Sequence, residues 1–183
     1  MSSHEHHTPA TDDWQTPPDI IAALPRFDLD PCASDVQRTD TAERKIHWPG
    51  NGLIEEWSGT VWLNPPYSKN AIEPWLERMA HHGDGVALIP ARVETQWFHR
   101  MVWPFASGLF VFRGRLTYLH RDSLSERSRH KGNAMFPSVL VAYGEKCRDW
   151  LWQVELEGMF VNLDGRRQRR KEVREKQKTL IES

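Results

Sequence analysis

The stretch Thr60-Val61-Trp62-Leu63-Asn64-Pro65-Pro66-Tyr67 restricts this chain more than any other. Val61, Trp62 and Leu63 form a β-prone apolar run that reads as a buried strand. Two consecutive prolines, which have no N–H to give a ladder, end it at once on a polar side chain. Asn64 and Tyr67 therefore stand at a strand's carboxyl end, the edge at which open α/β sheets bind ligands. A rigid turn there suits one kind of chemistry. The exocyclic amine of a nucleobase or amide is a poor nucleophile because its lone pair is delocalised. Two fixed acceptors, the Asn64 side-chain carbonyl and the Pro65 backbone carbonyl, can hold its two N–H bonds and draw the nitrogen toward tetrahedral geometry. Tyr67 can offer its face to the ring, a stack worth about 1–3 kcal/mol. Taken alone, the same four residues also describe a proline-rich turn that happens to contain Asn and Tyr.

With 183 residues, 39% of them hydrophobic and 27% charged, the chain is long enough for one domain with a substantial core. It has no apolar run of transmembrane length, and residues 1–13 are polar without the apolar centre of a signal peptide, so a cytosolic protein is expected. Cys32 and Cys147 make neither a disulfide framework nor a metal motif, and His4, His6 and His7 have no Cys or carboxylate arrangement to complete a site; no metal is expected. Residues 1–13 read as a disordered arm. A net charge of −1 argues against a protein that coats nucleic acid, but the charge is uneven: 113–131 and 166–178 are both rich in Arg and Lys.

Trp14-Gln15-Thr16-Pro17-Pro18-Asp19 predicts a helix with Thr16 as N-cap, Pro17 at the first helical position and Asp19 three residues after the cap, running to Leu24. Its start could hold an anion, although an ordinary capped helix looks the same. Phe27-Asp28-Leu29-Asp30 reads as a short strand ending in an acid, followed by the small residues of Pro31-Cys32-Ala33-Ser34. Asp30 there is either an acceptor for a ligand's ammonium group or a turn-capping Asp. Beyond it the chain is polar, with a brief strand at 45–48, a turn at Pro49-Gly50-Asn51-Gly52, and Asp40 and Glu43 as exposed acids that could meet a ribose.

After Tyr67, Ser68 or Asn70 can cap a helix carrying Ile72, Trp75, Leu76 and Met79; Val86 to Ile89 is a second buried strand; and Thr95 can cap a helix that Pro104 ends. Strand, helix, strand, helix is the pattern of a parallel sheet with crossovers. The segments 108–119 and 136–143 read as an antiparallel hairpin joined by a long arm, 120–133, whose Arg121, Arg127, Arg129 and Lys131, with Arg113 and Arg115 before it, are candidate phosphate and groove contacts; a solvated loop is the plain alternative. A helix from Glu145 to about Glu157, a strand at 159–163 and a charged tail, 164–183, complete the chain. The fold expected is α/β: a Rossmann-like, doubly wound, mostly parallel sheet with an antiparallel hairpin, in a single compact domain at 14–163.

These segments together resemble the amino-group DNA methyltransferases that use S-adenosylmethionine, and within them the small phage-type N6-adenine DNA methyltransferase family. Trp14-Gln15-Thr16-Pro17-Pro18 is similar to that group's Thr-Pro motif, Asp30-Pro31-Cys32-Ala33-Ser34 to its acidic cofactor motif, and Asn64-Pro65-Pro66-Tyr67 to its catalytic motif. Gly52-Leu53 with Trp57, Gly114-Arg115-Leu116 and Phe136-Pro137-Ser138 extend the phage-type pattern. The resemblance implies an S-adenosylmethionine pocket of Trp14, Thr16, Pro17, Asp30, Pro31, Ala33 and Ser34, with Thr16 at the methionine carboxylate and Asp30 at its amino group. It implies a catalytic set of Asn64, Pro65, Pro66 and Tyr67 acting on an adenine flipped out of double-stranded DNA. A monomer, phage- or prophage-encoded and working in a bacterial cytoplasm, is what it further suggests. The chain departs from the broad group where Ser34-Asp35 replaces a glycine after the acidic motif, and where only about thirty residues separate that motif from the catalytic one. Cytosine-N4 transfer suits the same amine-gripping turn. Protein-glutamine transfer would not require a basic arm, and a catalytically idle DNA-binding module would keep the fold without the reaction.

Overall fold

The order in which strands sit beside one another decides which loops can share a site. In a computed structural model, residues 14–34, 39–48, 51–68, 70–120 and 136–164 are described. The expectations placed on 1–13, on most of the arm and on 165–183 lie outside them.

Seven strands make one mixed sheet: β2 (Phe27–Ser34), β3 (Ala42–Trp48), β4 (Val61–Leu63), β5 (Gly85–Pro90), β6 (Gly108–Phe112), β8 (Ser138–Tyr143) and β9 (Gly158–Asn162), in the order β3-β2-β4-β5-β8-β6-β9. The remaining two, β1 (Trp14–Gln15) and β7 (Leu119–His120), pair antiparallel in a separate ribbon. The pairs β2/β3, β2/β4 and β4/β5 are parallel, whereas β5/β8, β8/β6 and β6/β9 are antiparallel. The expected mostly parallel sheet is thus half antiparallel by pairing. Because β8 is inserted between β5 and β6 and runs against both, β6 nevertheless points the same way as β2, β4 and β5. The carboxyl ends of these four strands and the amino end of β8 therefore share one edge.

Alternation along the central strands supplies two apolar faces. Ala87 and Ile89 join Leu63 and Val141 under helix α2 (Ile72–His82) and a short π-helical turn (Phe98–Val102), while Val86 and Leu88 join Trp62 and Leu140 under helices α1 (Pro18–Ala22) and α3 (Glu145–Gln153). Each fully buried leucine of this kind, such as Leu76 or Leu88, contributes roughly 1.5–3 kcal/mol. The buried face of α2 is Ile72, Trp75, Leu76, Met79 and Ala80, the stripe its spacing predicts. Among the described residues no helix lies between β2 and β4. That position is filled by the turn at 51–57, where the Trp57 indole N–H donates to the Gly52 carbonyl at 2.8 Å and the ring stacks on Trp75.

Several local expectations are corrected. Thr16 is not the N-cap of α1: Pro17 takes that position with ψ of 136° and no side-chain cap bond. A residue before proline is pushed out of the helical region, so Pro18 holds Pro17 extended and moves the start by one. Strand β2 does not stop at Asp30 but continues to Ser34 after a register shift between Asp30 and Ala33, and β3 is longer than the predicted 45–48. Neither Ser68 nor Asn70 caps α2, whose N-cap is Ala71. Thr95 turns its hydroxyl back to the Arg92 carbonyl, and the following turn is π-type, with the Trp103 N–H reaching the Phe98 carbonyl. Helix α3 ends at Gln153 rather than near Glu157. The β6/β8 antiparallel pairing agrees with the expected hairpin, but β6 ends at Phe112, and the chain from Gly114, at φ of +85°, crosses toward β7.

Candidate active site at the carboxyl edge

The chain leaves β2 for β3 on one side and returns to β4 on the other, so β2 and β4 flank a switch point of the kind that opens a ligand crevice in α/β sheets. Asp30 lies on β2 and Asn64 directly follows β4. The irregular register of β2 places Asp30 at a bulge, a device that re-aims a side chain. Its carboxylate is buried at 3% exposure, with Oδ1 accepting the Cys32 N–H at 3.0 Å and Oδ2 the Thr41 hydroxyl at 2.5 Å. Pro31, Ala33 and Ser34 are buried beside it. The turn-capping role considered for Asp30 is therefore present.

Thr16 is brought into the same group. Its carbonyl accepts the Thr39 hydroxyl at 2.9 Å, and its own hydroxyl oxygen accepts the Asn64 side-chain N–H at 3.3 Å. Trp14 stands on β1, paired with His120, and Pro17 is buried at the start of α1. At five residues α1 offers no substantial helix-end field, so the hydroxyl of Thr16 is the polar group this segment brings to Asn64.

Pro65 and Pro66 are buried, and Asn64 and Tyr67 half-buried. The Tyr67 hydroxyl reaches Asn64 Oδ1 at 2.6 Å, the Leu88 carbonyl at 3.1 Å and the Tyr118 hydroxyl at 3.2 Å. Tyr118 in turn meets the Ser138 hydroxyl at 3.0 Å. Burial first, then the neighbouring Tyr118, raises the Tyr67 phenol well above its ordinary range, and burial raises that of Tyr118. Both remain neutral donors across the physiological range. The Asn64 amide is held at both ends, nitrogen toward Thr16 and oxygen toward Tyr67.

Beside Tyr67, between the start of α2 and the end of β5, lies a cavity of about 290 Å³ whose walls include Asn70, Glu73, Arg92, Thr95 and Trp97. The Arg92 guanidinium sits 3.9 Å over the ring of Phe136, at the root of the arm, and has no carboxylate partner among the described residues. Arg113 and Arg115 are exposed on the turn after β6, on this same edge. Arg121, Arg127, Arg129 and Lys131 lie outside the described residues. The acids considered for a ribose, Asp40 and Glu43, form exposed ion pairs with Arg26 at 3.7 and 3.4 Å. No cluster of His, Cys, Asp and Glu suited to a metal occurs among the described residues, and none of their helices is long and apolar enough to cross a membrane.

Sequence reasoning passed over Thr39, Thr41, Arg92 and Tyr118. Arg92 carried a usable signal, because it follows the second buried strand as Asn64 follows the first. The others meet the site through contacts that no local pattern announces.

A switch point with an acid on one strand and an Asn-Pro-Pro-Tyr turn after the next is accompanied by a family-level match: residues 3–149 fit the model for DNA N-6-adenine-methyltransferase (Dam), and the chain belongs to that family. Among individual relatives, the DNA N-6-adenine-methyltransferase of Escherichia phage T1 is 34% identical over 94 residues, a match covering 46% of this chain and 38% of the phage protein. The chain thus matches well under half the length of that curated relative. No solved structure matches it.

Proposed function

We propose that this protein is an S-adenosylmethionine-dependent DNA methyltransferase acting on the N6 amino group of an adenine turned out of the duplex. The observation that carries the reading is the Asn64 amide, pinned between Thr16 and Tyr67 at the switch point of the sheet in a chain of this family. Asn64 Oδ1 and the Pro65 carbonyl accept the two N–H bonds of the amine and localise its lone pair, Pro66 fixes the turn, and the Tyr67 ring supports the base. S-adenosylmethionine, when bound, supplies an electrophilic methyl group on sulfur. Asn64 and Pro65 would hold the amine nitrogen toward that methyl group, and the proton it gives up on methylation would leave to solvent past their carbonyl oxygens. Orientation and exclusion of water account for the acceleration.

The residues beside the turn fit the cofactor's amino-acid end. Asp30 brings a buried carboxylate suited to an ammonium group, and the Thr16 hydroxyl, which accepts from Asn64, keeps its own proton for a carboxylate. Pro31, Ala33 and Ser34 would line the same wall beside Pro17, and Trp14 joins them as the remaining residue of the motif. We read the sheet as Rossmann-like and doubly wound, with helices on both faces and shortened crossovers between β2 and β4, and residues 14–163 as its domain. DNA would lie along the edge bearing Arg113 and Arg115, with Arg121, Arg127, Arg129 and Lys131 of the arm adding phosphate contacts, and Arg92 meeting the phosphate nearest the flipped base. The protein would work as a monomer, phage- or prophage-encoded, in a bacterial cytoplasm.

Incubation with methyl-labelled S-adenosylmethionine and duplex DNA, followed by nucleoside analysis, tests this directly. Label in N6-methyladenine is expected. Label in N4-methylcytosine would move the target, cofactor binding without transfer would favour an idle DNA-binding module, and no cofactor binding would end the enzyme reading.

A further inference from the structure

We propose that Tyr118 is a positioning residue for methyl transfer, acting on Asn64 through Tyr67; this rests on the function proposed above. Three hydroxyls stand in series behind the amine-holding carbonyl: Ser138 to Tyr118 at 3.0 Å, Tyr118 to Tyr67 at 3.2 Å, and Tyr67 to Asn64 Oδ1 at 2.6 Å. Each hydroxyl has one proton to give. The Tyr67 proton is committed to its shortest contact, Asn64, so Tyr118 must donate to Tyr67 and Ser138 to Tyr118. Donation in one direction along such a chain strengthens each successive bond. The series therefore ends on the one side-chain acceptor that the reaction uses.

The alternative acceptor shows what Tyr118 adds. The Leu88 carbonyl lies 3.1 Å from the Tyr67 oxygen and competes for the same proton. Without a donor behind it, the phenol can settle on that carbonyl and give up its 2.6 Å contact with the Asn64 oxygen. Tyr118 is 4% exposed, in edge contact with the Tyr67 ring at 6.1 Å between centroids, and Ser138 is 3% exposed at the first position of β8. Both therefore stand at the two roots of the basic arm, 120–133.

Tyr118→Phe removes one hydroxyl and keeps the ring. It should lower kcat about tenfold, the worth of one well-placed hydrogen bond, with cofactor and DNA affinities within about twofold and the thermal unfolding midpoint lowered by about a few degrees. The deciding measurement is a double-mutant cycle. In a Tyr67→Phe background, Tyr118→Phe should have no further effect, because the link it acts through is gone. A wild-type kcat for Tyr118→Phe, a full additional loss in the Tyr67→Phe background, or a loss confined to affinity would each overturn the proposal. If Tyr118→Phe folds poorly, Ser138→Ala decides: a fall of about two- to threefold in kcat that vanishes in the Tyr67→Phe background is expected, and a fall that persists there overturns it. The wild-type protein, assayed alongside, reports separately on the proposed function. Failure to methylate DNA sinks that function, whereas methylation with an additive cycle sinks only the role of Tyr118.

Discussion

The Tyr67 hydroxyl donates to the side-chain carbonyl of Asn64 across 2.6 Å, so the turn's aromatic residue orients its amide before any base arrives. The two residues are separable by mutation. Asn64→Ala removes the acceptor itself and should cut transfer by about 10²–10³-fold, the usual loss when one preorganised polar contact to the reacting group is deleted, while leaving cofactor affinity nearly intact. Tyr67→Phe keeps the ring and should cost about tenfold in kcat; Tyr67→Ala also loses the stack, worth about 1–3 kcal/mol, and should raise KM for DNA as well. An Asn64→Ala protein with full activity would refute the mechanism.

All three tyrosines of the chain titrate above the ordinary phenol range. Burial is the main cause in each case, and the folded state holds protons that an unfolded chain releases once pH passes about 10. Stability from this source is complete below that pH and falls as pH rises above it. Between about pH 10 and 11 the native protein should therefore show less tyrosinate absorbance than the urea-unfolded chain, and its unfolding midpoint should drop as pH rises through this interval. Tyr143→Phe should flatten that drop. Tyrosinate appearing near pH 10 while circular dichroism still reports a folded protein would contradict the placement of these rings.

Much of this architecture is legible in the sequence because local patterns carry it. The stripe Ile72, Trp75, Leu76, Met79 gives the buried face of α2, and the apolar runs at β4, β5 and β8 give the central strands. What local pattern cannot carry is adjacency. A strand buried on both faces has the same composition whichever neighbours it has, so the insertion of β8 between β5 and β6 is invisible, and with it the half-antiparallel pairing. The bulge in β2 is hidden for a similar reason, since Pro31 and Cys32 read as a strand end. At the site, the Asn-Pro-Pro-Tyr turn and Asp30 announce themselves by residue type. Tyr118 lies 51 residues from Tyr67 in the chain, and only the fold makes them neighbours.

Arg92 provides a test of where DNA lies. Its guanidinium, stacked on Phe136 beside the cavity at Tyr67, is prealigned and has no carboxylate partner among the described residues. A phosphate contact releases about one counterion, so Arg92→Gln should weaken DNA binding roughly uniformly across sequences and reduce the slope of log affinity against log salt by about one. Arg92→Lys should restore the slope but only part of the affinity, because the stacked planar fork is lost. An unchanged slope for Arg92→Gln would place the nucleic acid elsewhere.

Gly52 tests the tie between the turn at 51–57 and the acidic motif. A Cβ built at this position would collide with the Pro31 carbonyl and come within 2.8 Å of the Trp75 indole, so only glycine lets the two backbones meet. Neither neighbour can yield freely: Trp75 is 2% exposed in the core, and Pro31 adjoins the bulge that aims Asp30. Gly52→Ala should therefore lower stability by about 1–3 kcal/mol, as overpacking does, and weaken S-adenosylmethionine binding by displacing Pro31 and with it Asp30. Gly83→Ala is the matched control. Gly83 has φ of +76° at the end of α2 with nothing near its absent Cβ, so that variant loses stability through backbone strain alone. Denaturant unfolding paired with cofactor titration separates the two. Both variants should unfold more readily, but only Gly52→Ala should lose affinity, and equal affinities would show that the acidic motif keeps its shape without this contact.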